Sequence, residues 1–181
     1  MTAASRVLLL TGRPGVGKST LMRRVAAALA SRPVGGFTTA EIREGGQRLG
    51  FRLETFDGRQ AVLARVGQAG PRVGRYGVDV AAMDAVAASA LAVDARTEAY
   101  LVDEIGRMEC LSAGFVSAMK AVLASDRPVV ATVAARGGGL IAEVKKRDDT
   151  ELWPVTRGNR DGRPEQVRAW LAERLKGRGR R

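Results

Sequence analysis

The stretch Gly12-Arg13-Pro14-Gly15-Val16-Gly17-Lys18-Ser19 has the spacing G-x-x-x-x-G-K-S. Residues 7–10 before it are an apolar run that predicts a buried strand, and residues 20–29 after it have the composition of a helix. A strand, a glycine-rich loop and a helix N-terminus are the context of a phosphate-binding P-loop. Glycines let consecutive backbone N–H groups point at a polyphosphate, and the helix N-terminus adds partial positive charge. The stretch therefore predicts an α/β fold that binds phosphate.

The side chains of this loop predict how a nucleotide would be held. Lys18 can reach the β- and γ-phosphates, and the hydroxyl of Ser19 can ligate Mg²⁺. We expect residues 12–19 and Thr20 to bind the phosphates, with Lys18 also contributing to catalysis. Arg13 is expected to project either into solvent or across the phosphates.

Composition excludes several kinds of site. The chain has no histidine, so zinc sites built on imidazole and histidine-based triads are impossible. Cys110 is the only cysteine, which rules out an internal disulfide. No run approaches the ~18 apolar residues that span a bilayer, and the start of the chain lacks the pattern of a signal peptide. We therefore expect a cytoplasmic protein without a membrane segment.

The formal charge of +11 comes mostly from arginines that are scattered along the chain. Residues 176–181 form the one dense basic run, and we expect them to be a flexible tail after a single domain, residues 1–175. Aromatic residues make up only 4% of the chain, which leaves few rings for stacking bases. Nucleic acid is therefore not expected to be the main ligand. Separately, we expect the protein to be a monomer.

The chain changes from helical to alternating periodicity after the first helix. Three segments have the composition of strands: residues 36–43, 48–56 and 60–66. Asp57-Gly58 is a strong hairpin signal between the last two. These segments predict an antiparallel meander inserted after the P-loop helix. Residues 66–79 contain several glycines and are predicted to be a long loop.

Strands and helices alternate in the second half of the chain. Asp79 and Ser112 are predicted to cap helices, and Pro164 suits the first turn of a closing helix. The other predicted elements are strands at residues 100–102, 128–134 and 151–156 and a short basic helix at residues 140–147. This order predicts a three-layer α/β P-loop NTPase fold, with a mostly parallel sheet and the meander as a local antiparallel extension.

Asp103 and Glu104 follow the apolar strand at residues 100–102. In P-loop folds an aspartate in this position holds Mg²⁺, so Asp103 and Ser19 are the predicted metal ligands. Glu104 is suited to orient or deprotonate an attacking water. The sequence thus predicts the second half of a phosphoryl-transfer site, with Mg²⁺ as its cofactor.

Several blocks along the chain resemble the thermophile-type (cancer-related) P-loop nucleoside-triphosphatase family. Besides residues 12–21, the blocks are G-F-T-T-A-E-I-R (36–43), R-L-G-F (48–51), V-G-R-Y-G-V (73–78), V-D-E-I-G-R-M-E (102–109) and Asn159-Arg160. The resemblance implies a cytosolic enzyme that slowly hydrolyses nucleoside 5′-triphosphates, ATP, GTP and others, to diphosphate and phosphate with Mg²⁺ and broad base selectivity. It also implies a second nucleotide-contacting stretch, with Glu104 as the base: Asp103, Glu104, Ile105 and Gly106.

A cation besides Lys18 is expected to stabilise the charge that spreads over the γ-phosphate oxygens. Arg107, Arg147 and Arg160 are the candidates, and the sequence does not choose among them. Asn159 and Arg160 follow the last strand, where P-loop folds often place contacts to the base. We therefore expect these two residues to touch the base or ribose.

Two other functions stay open at this point. A small-molecule or nucleotide kinase shares the P-loop but needs an acceptor pocket and a lid, for which residues 137–147 are the candidate. A nucleotide-switched regulatory or RNA-associated protein would use slow hydrolysis as a timer, and the basic charge is its supporting feature. The pair Asp103-Glu104 favours transfer to water over both.

Overall fold

The computed structural model describes residues 5–176, so the predicted tail lies outside the described residues except for Lys176. Within this part the chain forms nine strands, five α-helices and a 3₁₀ turn at Glu109–Leu111. The strands are β1 Val7–Thr11, β2 Val34–Glu44, β3 Gln47–Thr55, β4 Gln60–Val66, β5 Arg72–Val73, β6 Tyr76–Val78, β7 Ala99–Ile105, β8 Val129–Val133 and β9 Thr150–Pro154. The helices are α1 Lys18–Ala28, α2 Val80–Ala90, α3 Ala113–Ala124, α4 Leu140–Lys145 and α5 Arg163–Lys176.

The nine described strands form one sheet in the order β5-β6-β4-β3-β2-β7-β8-β1-β9. The pairs from β2 through β7, β8 and β1 to β9 are parallel. β8 therefore separates β1, which leads into the P-loop, from β7, which carries Asp103 and Glu104. Because parallel strands end at the same edge of a sheet, the two halves of the predicted site lie at one edge.

Hydrophobic clusters cover both faces of the sheet. Leu8 and Leu10 belong to a cluster with α1 and α5, whereas Val7 and Leu9 belong to a cluster with α2, α3 and α4. Alternation along β1 sends neighbouring side chains to opposite faces, and helices bury both. The predicted three-layer α/β architecture is confirmed.

The antiparallel part of the sheet contains one element that the sequence did not predict. β2, β3 and β4 form the expected meander, but β5 and β6 then form a short hairpin within residues 66–79, and β6 pairs with β4. The prediction of a long loop there was wrong. Gly77 obscures the strand pattern, yet it is required, since a Cβ at this position would lie 1.9 Å from the carbonyl oxygen of Gln68.

The predicted helix caps are confirmed. The side chains of Asp79 and Ser112 each accept a hydrogen bond from a backbone N–H three residues further on, at 2.9 and 2.8 Å. α4 buries Leu140, Ile141 and Val144. This part of the candidate lid is therefore packed into the core. Within residues 5–176 no helix is both long and apolar enough to cross a membrane.

Candidate active site

The P-loop lies between the end of β1 and the start of α1. Gly15 and Gly17 adopt positive φ angles of 75° and 110°, which favour glycine. Gly12 has a different role, since a Cβ there would lie 2.5 Å from the carbonyl oxygen of Val155. The backbone N–H of Val155 donates to the Thr11 carbonyl at 2.7 Å, so the base of the loop is fastened to the end of β9.

The N-terminus of α1 is open to an anion. No side chain among the described residues caps it, and its first turn holds no acidic residue. Its first N–H groups and the positive end of its dipole are therefore available for phosphate oxygens. The Lys18 ammonium donates to the carbonyl oxygens of Gly12 at 2.8 Å and Arg13 at 3.4 Å, which places this cation on the loop.

Asp103 is held by threonines from the two neighbouring strands. Its side chain is buried, and its Oδ1 accepts a hydrogen bond from the Thr132 hydroxyl of β8 at 2.6 Å. Its Oδ2 accepts from the backbone N–H of Thr39 in β2 at 3.3 Å, and the Thr39 hydroxyl donates to the Asp103 carbonyl. The peptide bond between Asp103 and Glu104 is cis. These contacts fix the orientation of the Asp103 carboxylate.

Glu104 is half-buried at the end of β7, among charges of both signs. Burial raises the pKa of Glu104 above its ordinary value, and Asp103 raises it further, whereas the ammonium groups of Lys18 and Lys145 lower it; the net shift is upward. A carboxylate with a raised pKa is a stronger base. Glu104 therefore has the environment of a proton acceptor.

A second carboxyl group, that of Glu109, lies beside Glu104. A Cβ on Gly106 would lie 2.8 Å from Oε2 of Glu109 and 2.9 Å from Oε1 of Glu104. Both carboxyl groups therefore occupy the space that a side chain at this position would need. Burial, with smaller contributions from Glu104 and Asp103, raises the pKa of Glu109 to about 8, although backbone N–H groups donate to it. Glu109 therefore keeps its proton in neutral solution.

Arg160 lies over the P-loop, whereas Asn159 shapes its own turn. The Arg160 guanidinium donates to the Val16 carbonyl at 3.3 Å. Asn159 instead accepts from the Thr156 N–H at 2.8 Å and donates to the Pro154 carbonyl at 3.0 Å. Of the two residues expected to touch the base or ribose, only Arg160 therefore reaches the loop. A cleft of about 310 Å³ opens beside it, lined by Gly17, Thr20, Leu21, Arg24, Arg160 and Asp161.

Arg147, one of the candidate cations, lies at the opposite edge of the sheet. Its guanidinium donates to Asp149 at 2.9 Å and to the Leu123 carbonyl at 3.0 Å. The Asp149 carbonyl in turn accepts from the N–H of Val7, at the start of β1, whereas the P-loop follows the end of β1. The prediction that Arg147 could be a cation of the site is therefore wrong, because Arg147 pairs with Asp149 at the amino end of the strands.

The other predicted site residues differ in what they offer a nucleotide. Arg13 and Arg107 are exposed, and neither side chain makes a hydrogen bond or ion pair with any described residue. The Ile105 side chain is fully buried in the core, so only its backbone can face a ligand. Pro14 and Thr20 are exposed on the loop and on α1, and Val16 packs against the core.

Proteins similar to this chain are nucleoside triphosphatases. A family model described as NTPase matches residues 7–168. A protein of Thermofilum pendens named nucleoside-triphosphatase THEP1 is 43% identical to this chain, over 93% of this chain and 97% of that protein. The chain belongs to the THEP1 nucleoside-triphosphatase family.

Other members of the THEP1 family match along most of their length. The THEP1 of Methanosarcina barkeri is 38% identical, over 88% of this chain and 94% of that protein. The crystal structure of THEP1 from Aquifex aeolicus has a TM-score of 0.81 at 30% identity and covers 91% of this chain and 98% of that one. The solution structure of a human cancer-related nucleoside triphosphatase has a TM-score of 0.76 at 33% identity, covering 90% and 95%. The resemblance and the P-loop NTPase fold predicted from the sequence are confirmed.

Three residues of this THEP1-family site had no predicted role. Thr39 stands in the G-F-T-T-A-E-I-R block and Glu109 ends the V-D-E-I-G-R-M-E block, so the resemblance itself was the available signal. Thr132 has no such signal, since it is one polar residue within an apolar strand. Its role depends on β8 being the neighbour of β7.

Proposed function

We propose that this protein hydrolyses nucleoside 5′-triphosphates to diphosphate and phosphate with Mg²⁺, accepting several bases and turning over slowly. Membership of the THEP1 family supports hydrolysis of nucleoside triphosphates. The observation that best supports this function is that the P-loop, Asp103 and Glu104 lie at the same edge of the sheet. Slow turnover is expected from the resemblance alone.

The P-loop backbone and Lys18 bind the β- and γ-phosphates. The free N-terminal N–H groups of α1 surround the phosphate oxygens, and the Lys18 ammonium leaves its loop carbonyls to contact them. Because the backbone N–H groups are in place before the ligand arrives, only the Lys18 side chain has to move on binding.

Ser19 and Asp103 are the residues that would hold Mg²⁺. A hydroxyl and a carboxylate are the hard oxygen donors that this ion prefers. The Ser19 hydroxyl makes no hydrogen bond within residues 5–176, and each Asp103 oxygen accepts only one, so lone pairs are available on both side chains. Phosphate oxygens and water would complete its coordination. Bound there, Mg²⁺ supplies charge neutralisation at the β- and γ-phosphates.

Glu104 acts on the attacking water. Its carboxylate accepts a proton from the water as the oxygen attacks the γ-phosphorus and the bond to the β–γ bridging oxygen breaks. The raised pKa of Glu104 favours this transfer, because it makes the carboxylate a stronger base.

The cleft beside Arg160 fits a base without selecting one. Arg24 and Arg160 are exposed on its lining, and a guanidinium plane stacks on any base because every base has a π-face. Discrimination between bases requires buried donors and acceptors that the wrong base leaves unpaired. An open cleft of this kind supports broad base selectivity.

Phosphate release from ATP, GTP, CTP and UTP, with Mg²⁺ and with EDTA, tests the proposal. We expect all four nucleotides to be hydrolysed within about tenfold of one another and EDTA to abolish release. Lys18→Ala is the matched inactive control, because it removes the loop cation. Transfer of the γ-phosphate to an added hydroxyl compound or nucleotide would identify a kinase instead. Strong stimulation of release by RNA would identify an RNA-associated switch.

A further inference from the structure

The end of β8 is a part of the site that the sequence left without a function. β8 lies between the P-loop strand and the strand of Asp103 and Glu104, so the residues that follow it face the space between both halves. Arg147, from the segment just beyond, points to the other edge of the sheet. The charge on the phosphoryl oxygens needs a cation besides Lys18, and this place is suited to supply one.

Lys145, at the end of α4, places its ammonium at this point. Its Nζ donates to the carbonyl oxygens of Ala134 at 2.6 Å and Ala135 at 3.0 Å, directly after β8. The Ala134 N–H donates to the Ile105 carbonyl at 3.1 Å, and Ile105 follows Glu104 in the chain. One backbone hydrogen bond therefore connects the residue that anchors Lys145 to the end of the acid strand.

We propose that Lys145 is a second catalytic cation, which contacts the γ-phosphoryl oxygens beside Glu104. The inference rests on the proposed hydrolysis of nucleoside triphosphates. An ammonium group has three donors, and two of those of Lys145 are directed at Ala134 and Ala135. The third is available to a phosphoryl oxygen.

The electrostatics of Glu104 agree with this placement. Lys18 and Lys145 are the two cations whose charges act on the Glu104 carboxylate, so both ammonium groups are near it. A water held by Glu104 therefore attacks a phosphoryl group that is close to both cations. The adjacent Lys146 is exposed, and its side chain makes no hydrogen bond or ion pair with any described residue. Position 146 therefore carries a charge that is not anchored at the end of β8.

The substitution Lys145→Gln separates charge from structure. The glutamine amide can still donate to a carbonyl at the end of β8, but it has no charge. We expect kcat for ATP to fall by about 100-fold, which is typical of losing one donor aimed at transition-state charge, with KM changed by less than about threefold. Lys145→Arg keeps the charge and is expected to retain kcat within about tenfold. Lys146→Gln, the matched control, is expected to leave both constants unchanged.

Binding of ADP with and without aluminium fluoride, in the presence of Mg²⁺, gives a readout besides turnover. Lys145→Gln is expected to bind ADP like the unmodified protein and to lose the extra affinity that aluminium fluoride gives by mimicking the transferring phosphoryl group. Retained kcat, or an equal loss of affinity for both ligands, would overturn the proposal. Failure of Lys145→Gln to fold would also count against it, since the charge would then serve the fold. If the unmodified protein releases no phosphate, the proposed function itself fails, which is a distinct result.

Discussion

Gly106 brings the carboxyl groups of Glu104 and Glu109 together, because no Cβ occupies the space between them. Burial, and to a smaller extent repulsion between two carboxylates this close, raises the pKa of one of them so that it keeps its proton. The fully buried Glu109 is the one whose pKa rises to about 8. Glu104, which is half-buried and faces two lysines, is the one that we propose as the base.

Glu109→Gln is expected to stabilise the protein increasingly as the pH rises from 5 to 8.5. Glu109 has a pKa of about 8 when folded against an ordinary value of 4.5. Between these values the folded state binds more protons than the unfolded chain, so the free energy of unfolding falls as pH rises. Glutamine does not titrate, so the variant lacks this loss of stability at high pH. We expect a gain in Tm of about 10 °C at pH 8.5 and little at pH 5.

Thermal unfolding at both pH values measures this effect. Glu143→Gln is the control, because Glu143 is an exposed partner of Lys120 at 3.0 Å and its substitution should give no gain that grows with pH. A pH-independent difference between Glu109→Gln and the unmodified protein would contradict the account of Glu109.

Gly12→Ala is expected to disturb the loop through packing. The added methyl group would lie 2.5 Å from the Val155 carbonyl oxygen, so β1 and β9 must separate at their ends. We expect a loss of about 1–3 kcal/mol in the free energy of unfolding together with weaker nucleotide binding. Gly138→Ala is the control, since a Cβ at that position meets nothing within 4 Å. Urea denaturation and nucleotide titration of the two variants decide the matter, and equal behaviour would refute the packing argument.

At the scale of elements, two sequence blocks of the family meet away from the nucleotide site. Arg48 of the R-L-G-F block donates from Nε to the Tyr76 hydroxyl of the V-G-R-Y-G-V block at 3.1 Å. The rings of Phe51 and Tyr76 are 5.3 Å apart in an edge-to-face arrangement. These contacts fasten the β5–β6 hairpin to the meander, so the two blocks stabilise the sheet extension.

Substitutions of Tyr76 are expected to change stability and leave catalysis intact. Tyr76→Phe removes one hydrogen bond and should cost about 1 kcal/mol, whereas Tyr76→Ala removes a buried ring and should cost about 3–5 kcal/mol. Turnover per folded molecule should not change in either variant. Chemical denaturation with parallel phosphate-release assays checks both statements. A tenfold fall in kcat for Tyr76→Phe would show that the hairpin acts on the site.

At the scale of the whole molecule, local signals were predictable from the sequence and strand order was not. The P-loop, the caps at Asp79 and Ser112 and the acid pair at Asp103 each lie within a few residues, so spacing alone indicates them. The site also depends on β8 lying between β1 and β7, and periodicity does not report which strands are neighbours.

The residues that contact the predicted site residues could not be predicted without the strand order. Thr132 reaches Asp103 across neighbouring strands, and the carbonyls that anchor Lys145 follow the same strand. Arg147 follows Lys145 by only two residues but points to the opposite edge, because the chain turns back there into β9. No short-range pattern distinguishes these two cations.

The central claim is that Glu104 activates water at a nucleotide held by the P-loop. The most direct measurement compares Glu104→Gln with the unmodified protein, in phosphate release from ATP and in ATP affinity, with Glu165→Gln as an exposed carboxylate control. We expect kcat to fall by about 100-fold or more, as for loss of a general base, while ATP affinity stays within about threefold. Turnover that is unchanged in Glu104→Gln would contradict the account.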